Sequence, residues 1–442
     1  MATRNGGHFL LVALAPLLSR PMLNYIWVAL LLIGFLVGLI KAIFVPGASG
    51  MMTDMLNGIF SASKTGFEIS IGLTGVMALW LGIMKIGEKA GVIRLVSRGV
   101  APLFRTLFKK VPAGHPAYGS ITMNLSANML GLGNAATPLG LKAMAELQEL
   151  NEDKERATDA QIMFLVLNTA GITLVPTSVI AIRQTMAVEQ HVANFNAADI
   201  FLPTLIATFI AFVCGMTIVA IHQRINLLKL PVLIFIGIFG GLIGGIYGYV
   251  QHMISSGATT DQVSNTIGAI GSGFILCLVM LFIAAGAFQK QKVFENFVEG
   301  AKEGFNVAVR IIPFLVGMLI AISIFRVSGC MDFIVSGIAN AAAWCGLNTD
   351  FVPVVPVMLM KPLSGSGAQG LMVDVMKQYG VASFPGKLAA ILQGTTETTF
   401  YVLAVYFGSV GVKNTRSALV LGLIADLIGM VAAIILGYLF FH

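Results

Sequence analysis

Residues 124–138 read NLSANMLGLGNAATP. Three asparagines (Asn124, Asn128, Asn134), Ser126, Thr137, Gly131, Gly133 and a closing Pro138 fall in fifteen positions of a chain that is 57% hydrophobic and only 11% charged. A typical soluble domain carries roughly a quarter charged residues, so 442 residues of this composition cannot cover a water-facing surface. Repeated apolar runs of about 20 residues match the thickness of a bilayer core. A lipid-spanning β-barrel would show short alternating segments instead. The chain is therefore read as an all-α polytopic membrane protein. In lipid an unpaired backbone amide has no partner, so irregular backbone at membrane depth survives only inside protein or beside a wet cavity. The opening stretch thus predicts a broken or re-entrant element and not a simple lipid-facing helix.

Outward from it, candidate spans fall at 24–44, 66–86, 160–183, 199–221, 231–251, 264–288, 304–326, 387–410 and 417–441. The fold expected is about nine full spans plus two re-entrant or broken-helix elements. The second broken region, 351–379, contains KPLSGSGAQG. Residues 47–64 and 88–111 read as interfacial helices or loops. A weak internal repeat joins the two broken regions. Lys64-Thr65-Gly66-Phe67 matches Lys302-Glu303-Gly304-Phe305 at an offset of 238, and Leu125-Ser126 matches Leu363-Ser364 at the same offset. Leu167-Asn168-Thr169 lies over Leu392-Gln393-Gly394 at 225, the difference falling in the longer first-half loop ELQELNEDKERATD.

Loop charge sets the direction of the copies, because short cytoplasmic loops collect Lys and Arg. The basic segment after 66–86 (Lys89, Arg94, Arg98, Arg105, Lys109, Lys110) is placed inside, together with loops 222–230, 289–302 and 411–416. Loop 252–263 has no Lys or Arg and is placed outside. If 117–145 dips in and returns, every loop agrees, and the unpaired span 231–251 inverts the second copy. The expected organisation is an N-terminal interfacial segment (1–23), a first repeat (24–222), a linker with an extra transmembrane helix (223–261) and a second, inverted repeat (262–442). The N-terminus is expected in the cytoplasm and the C-terminus outside.

The net charge of +7 is accounted for by these loops, so it signals topology and anionic headgroups and no nucleic-acid partner. Cys214, Cys277, Cys330 and Cys345 share no metal-ligand spacing, and the six His are scattered. There is no HExxH, GxSxG or phosphate-cradling loop after a strand. No catalytic residue, metal or cofactor is expected, and the chain is read as not an enzyme. An intramembrane enzyme using Glu397 as acid or base stays open as a third reading.

The chemistry lies in the breaks. A broken helix exposes N–H groups at one end and carbonyls at the other, and Asn side chains add a donor and an acceptor each. The candidate substrate-binding residues are Asn124, Ser126, Asn128, Asn134, Asn168, Thr169, Thr173, Ser364, Ser366, Gln369, Gln393, Thr396 and Glu397. Asn168 with Gly171, and Gln393 with Thr396 and Glu397, are expected to share helix faces. Glu397, in mid-span, is the candidate for coupling to H⁺ or Na⁺, with a structural pair to Lys361 or Arg310 as its plain alternative. Arg183 and Arg326 read as span-end anchors, and Asp426 as a residue facing protein.

NLSANMLGLGNAATPLGLKAM resembles the hallmark of the spore maturation protein A family. KPLSGSGAQG, ILQGTTETTFYVLAVYFGSVGVK and RSALVLGLIADLIG resemble the spore maturation protein B family. The resemblance covers 24–222 and 262–442, so the chain looks like a fusion of the two. Both families are similar to nucleoside-recognition or gate domains, found also in concentrative nucleoside transporters and in the gate region of ferrous iron transporters. The resemblance implies a bacterial inner-membrane protein and suggests transport, without naming a cargo. The expectation is a secondary transporter of a small polar solute, nucleoside-like or cell-wall-derived, at a midplane site between inverted repeats. The alternative is a non-transporting scaffold or sensor for envelope or spore-cortex assembly. Assembly into a homo-oligomer is left open.

Overall fold

Two long helices organise the chain. The computed structural model describes residues 22–131 and 133–442, and at 22, 23, 133–135, 260, 261 and 264 it describes the backbone only. The expected interfacial segment 1–23 therefore lies outside the described residues except at its last two positions. Helix α1 is Met22–Phe44 and α2 is Met51–Lys89. The sequence reading separated 47–64 from the span 66–86, but no glycine or proline between them breaks the ladder, and one helix of 39 residues runs through both. It is followed by α3, Val92–Leu107, then α4, Ala117–Met129, and α5, Gly133–Glu149. Next come α6, Asp159–Thr169, α7, Thr177–Glu189, and α8, Phe201–His222.

After α9, Leu230–Ser255, and α10, Thr260–Phe288, the same order returns. A long helix α11 (Val293–Val327) is followed by α12 (Cys330–Trp344) and then by a short helix α13 (Val355–Met360) with α14 (Gly365–Tyr379). A pair of half-length helices, α15 (Phe384–Thr395) and α16 (Thr399–Ser409), precedes the last helix, α17 (Ala418–Phe441). The offset of 238 seen in the sequence recurs in the backbone. Gly91 and Gly329 both take positive φ (69° and 81°) just after the long helices, and α3 and α12 both start one residue later. A left-handed turn at this point costs a glycine little.

The long helices pack antiparallel through small residues. An ideal Cβ on Gly58 would lie 2.7 Å from Ser323 Oγ, one on Gly66 2.9 Å from Val316 Cγ2, and one on Gly304 2.5 Å from the carbonyl of Met77. Numbers rise along one helix as they fall along the other. Without a hydrophobic force between helices in lipid, close approach at small residues is what holds them. Lys85 pairs with Glu299 at 3.6 Å and Glu303 at 3.2 Å, and Lys89 with Glu299 at 2.5 Å, closing one end of this seam. The last helices of the two halves also cross in opposite senses: Gly215 meets Ala425, Gly429 meets Ala211, and His222 meets Ser417.

Both broken regions fold as helical hairpins. Limbs α4 and α5 begin and end at the same end of the molecule. Tyr118 OH donates to the carbonyls of Phe108 and Val111, and Gln148 Nε2 to that of Val410. At the opposite end the amide of Phe351 donates to Tyr438 OH, and the amide of Val381 to Gln190 Oε1, so α13 and α14 also enter and leave together. Polar contacts link the loops expected on one side. Lys110 and Arg416 bind Asp159, Gln223 donates to the Asp159 carbonyl, and Gln289 to that of Ala90. The other end is linked by Lys41 to the Ser328 carbonyl and Lys377 to Thr65.

Seven helices among the described residues are long and apolar enough to cross a membrane: α1, α2, α8, α9, α10, α11 and α17. The remaining expected spans, 160–183 and 387–410, are not continuous. The first stops at Thr169, where Gly171, β-branched residues and Pro176 follow. The second stops at Thr395, inside a run of threonines. β-Branched residues lose side-chain freedom in a helix, and proline disfavours helical geometry at the preceding residue. The extra helix α9 leans on α8 through Phe235 and Phe239 against Phe209 and Phe212. Its exposed Leu233, Ile234, Ile238 and Leu242 suit lipid.

Candidate functional site

The two breaks cross. Residues 170–176 separate α6 from α7, and 396–398 separate α15 from α16. Where they meet, the amide of Glu397 donates to the carbonyl of Thr169 at 2.8 Å. Each half-helix of one break packs on the other repeat's partner: Phe164 of α6 stacks at 5.5 Å on Tyr406 of α16, and Gly394 of α15 meets Thr204 and Pro176. Two carbonyl-bearing C-terminal ends (α6, α15) and two amide-bearing N-terminal ends (α7, α16) thus converge on one region, the arrangement that presents partial charges of both signs to a ligand.

Local sequence sets each end. Thr158 caps α6 in a reciprocal box with Gln161, Ser383 caps α15 through the amide of Gly386, and Ser364 caps α14 through that of Gly367 at 3.0 Å. Such caps satisfy amides a helix start leaves unpaired.

The hairpin tips reach the same depth. The carbonyl of Met129, at the tip of the first hairpin, accepts from the amide of Leu174 at 2.8 Å. Gly131 beside it has φ +75°, and an added Cβ would meet the Val175 carbonyl at 3.0 Å. In the second hairpin the carbonyl of Pro362 accepts from the amide of Phe400 at 3.1 Å. Each tip is therefore tied to the break of its own repeat.

Most of the expected residues gather here. Asn128 Nδ2 donates to Asn168 Oδ1 at 2.8 Å, and Asn168 Nδ2 donates to the Phe164 carbonyl. Asn124, fully buried, donates to the Ala136 carbonyl at 2.8 Å and to Tyr406 OH at 3.3 Å. Gln393 Nε2 donates to the Gly365 carbonyl at 3.3 Å, and the Ser364 and Ser366 hydroxyls lie 3.4 Å apart. Thr173 lies half-buried within the first break, and Gln369 lies half-buried in α14 beyond Ser366. Asn124 Oδ1, Thr169 Oγ1 and Gln393 Oε1 are buried without a hydrogen-bond partner among the described residues. Buried polar atoms are usually satisfied, so these oxygens mark the crossing as polar beyond what its own bonding uses.

Other expectations change. Ser126 Oγ returns to the Thr122 carbonyl in its own helix. The side chain of Asn134 lies outside the described residues. Gly171, Thr396 and Glu397 are in the breaks, so the shared helix faces proposed for them do not exist. Thr396 instead has extended backbone (φ −134°, ψ 164°). Glu397 is exposed although its neighbours Thr396 and Thr398 are buried. Lys361, only 4% exposed, sends Nζ to the Gln393 carbonyl at 2.7 Å, where its charge suits the C-terminal end of α15. Arg183 is no interfacial anchor: it is fully buried and paired with Asp199, which also meets Lys387 at 3.2 Å. Arg326 pairs with Asp374.

The sequence reading missed Tyr406, which bridges Asn124 to Asn168 and is held in the space that Gly140 leaves. It sits in the apolar run FYVLAVYF, and only the matching polar layer in the other half could have singled it out. Asp426 faces protein, as expected: it is 1% exposed and accepts from Thr399 Oγ1 at 2.5 Å. A cavity of about 480 Å³ lies away from the crossing, near the shared basic end, lined by Lys85, Glu88, Arg94, Met123, Pro138 and Glu303 among others. Met123 and Pro138 belong to the two limbs of the first hairpin.

The Gate family model, described as nucleoside recognition, matches residues 70–186 and 308–413. Each match takes in the second part of a long helix, a helical hairpin and a break. Spore maturation protein B of Bacillus subtilis (strain 168) is 47% identical over 170 residues, which is 38% of this chain and 94% of that protein. Spore maturation protein A of the same organism is 40% identical over 190 residues, 43% of this chain and 90% of that protein. The two similarities cover different halves, consistent with a fusion.

Proposed function

Because the chain belongs to the Gate family, described as nucleoside recognition, we propose that it is a secondary transporter of a small polar solute. The solute binds where the two breaks cross, between halves that are inverted in the membrane. The observation that carries this reading is the crossing itself: Glu397 amide on Thr169 carbonyl, beside an exposed carboxylate flanked by buried threonines. Discontinuous helices at the interface of two repeats are the usual architecture of a transporter's substrate site. The antiparallel packing of α2 on α11, and the entry of the two hairpins from opposite ends, support the inverted arrangement.

The lining favours a solute rich in hydroxyls or amides. Asn128, Asn168, Gln393 and Thr173 offer neutral donors and acceptors, and the helix ends offer oriented dipoles. Nucleosides, sugar or muropeptide fragments and small amino-acid-like solutes share that chemistry. The cavity between the seam and the first hairpin suits an aqueous vestibule on the basic side, which loop charge places in the cytoplasm.

The test is uptake by the full chain reconstituted in liposomes, across nucleosides, cell-wall fragments and amino acids. Saturable uptake of one class, lowered by both Glu397→Gln and Asn128→Ala, supports the reading. Uptake no greater than that of empty liposomes, with folded protein, sinks it. A second reading draws on the relatives' printed name, spore maturation: a scaffold or sensor in envelope assembly that moves no solute. Stable co-purification with an envelope enzyme, in the absence of any bound solute, distinguishes it.

A further inference from the structure

Asp426 stands in the middle of α17, with Gly422 one turn before it and Gly429 one turn after it on the same face. The missing side chains let both threonine-bearing breaks approach. An ideal Cβ on Gly422 would lie 3.0 Å from Thr399 Cγ2 and 3.9 Å from Thr169 Oγ1, and one on Gly429 would lie 2.8 Å from Thr396 Cγ2. The carboxylate is therefore enclosed by hydroxyl-bearing residues from both repeats. Its Oδ2 accepts the Thr399 hydroxyl, and the Thr396 hydroxyl is close enough to act on the carboxylate, while Oδ1 is buried without a well-formed hydrogen bond among the described residues. Thr169 Oγ1, on the neighbouring break, is left in the same condition.

The charged groups that act on Asp426 through space are Lys361 and Glu397. Lys361 directs its ammonium at the Gln393 carbonyl. Glu397 carries a charge of the same sign. The N-terminal end of α16, next to Thr399, favours a negative charge but supplies nothing to Oδ1. A buried carboxylate oxygen in this setting is costly unless a proton or a cation meets it. One carboxylate with neutral hydroxyls around it suits a monovalent ion; a divalent ion takes more carboxylate ligands.

We propose that Asp426, and not Glu397, is the coupling carboxylate: it binds a monovalent cation, a proton or a sodium ion, on Oδ1 at the point where both breaks meet. The cation then stabilises the crossing that forms the solute site, and solute binding and cation binding favour the same state. Glu397, exposed beside it, is left to the solute. This inference rests on the transporter reading and moves its coupling residue.

The experiment reads thermal stability of the purified full chain with no solute present, since a cation that binds the folded state must raise it. Sodium is titrated against choline at constant ionic strength in one arm, and pH is varied from mildly acid to neutral without sodium in the other. Wild type is expected to respond in one arm, which identifies the cation. Asp426→Asn, which keeps the size and an acceptor for Thr399, is expected to lose that response, while Glu397→Gln keeps it. An undiminished response in Asp426→Asn, or a wild type insensitive in both arms, overturns the proposal. Should Asp426→Asn fail to fold, Thr399→Val replaces it: a weakened response supports the site and an unchanged one overturns it. A flat cation response with solute uptake intact defeats this inference alone, whereas a cation response without any uptake defeats the transporter reading.

Discussion

Replacing Gly304 by alanine tests the seam on which the whole arrangement depends. At Gly304 the new Cβ would stand 2.5 Å from the carbonyl oxygen of Met77 and 2.6 Å from Ala78 Cα. These are backbone atoms of a neighbouring helix and cannot rotate away. Overpacking of this kind costs about 1–3 kcal/mol. Alanine in place of glycine also favours the helix itself by roughly 0.5–1 kcal/mol. The net expectation is a loss of roughly 1–2 kcal/mol. Gly317 lies on the same helix, but its nearest neighbour would be Trp27 Nε1 at 3.7 Å, an ordinary contact. Gly317→Ala should therefore be neutral or stabilising by up to about 1 kcal/mol. Unfolding of the purified variants in a denaturing-detergent titration reads both. Equal shifts for the two substitutions would refute the close antiparallel register of α2 and α11, and with it the main support for inverted halves.

The same register predicts a cross-link. An ideal Cβ on Gly58 lies 4.0 Å from Ser323 Cβ, within the span of a disulfide, so Gly58→Cys with Ser323→Cys in a background free of other cysteines should oxidise to an intramolecular bridge seen as a gel-mobility shift. A reducible shift is expected for this pair and none for Gly58→Cys with a cysteine at Gly304. Acid should release the loop clamp around Asp159. Burial by itself would raise that carboxyl, but hydrogen bonds from Lys110 and Arg416 outweigh it and hold it below the usual range. A carboxyl lowered by folding adds stability that is complete above its unfolded value, near pH 4, and is lost as pH falls through the lower folded value. After solvent screening the clamp is worth about 0.5–1 kcal/mol. Asp159→Asn should be less stable than wild type at neutral pH, and the gap should close in strong acid; a gap that persists there contradicts the assignment.

Much of this protein is written in composition and order. The charge deficit forces burial in lipid, because 11% charged residues cannot solvate such a chain. Basic loops sort the two ends, and polar residues with helix breakers in 124–138 and 361–369 mark two hairpins, since lipid tolerates such backbone only against protein. The fixed offset of 238 anticipated the matching glycine turns at Gly91 and Gly329. What the sequence could not decide is where a helix stops when the surrounding run stays apolar. The segments 160–183 and 387–410 are hydrophobic enough to span, so their breaks at Thr169 and Thr395 were invisible. Each stays open because residues far along the chain supply partners: the Thr169 carbonyl is met by Glu397 of the other repeat, and the amide of Leu174 by Met129 at the hairpin tip of its own. Those bonds join residues distant in the chain, and no local pattern encodes them. For the same reason Asp426 read as a residue facing protein. Only the close approach of two threonine-bearing breaks at Gly422 and Gly429 makes it the centre of a polar cluster, because that approach is a property of three helices packed together and not of the one that carries the carboxylate.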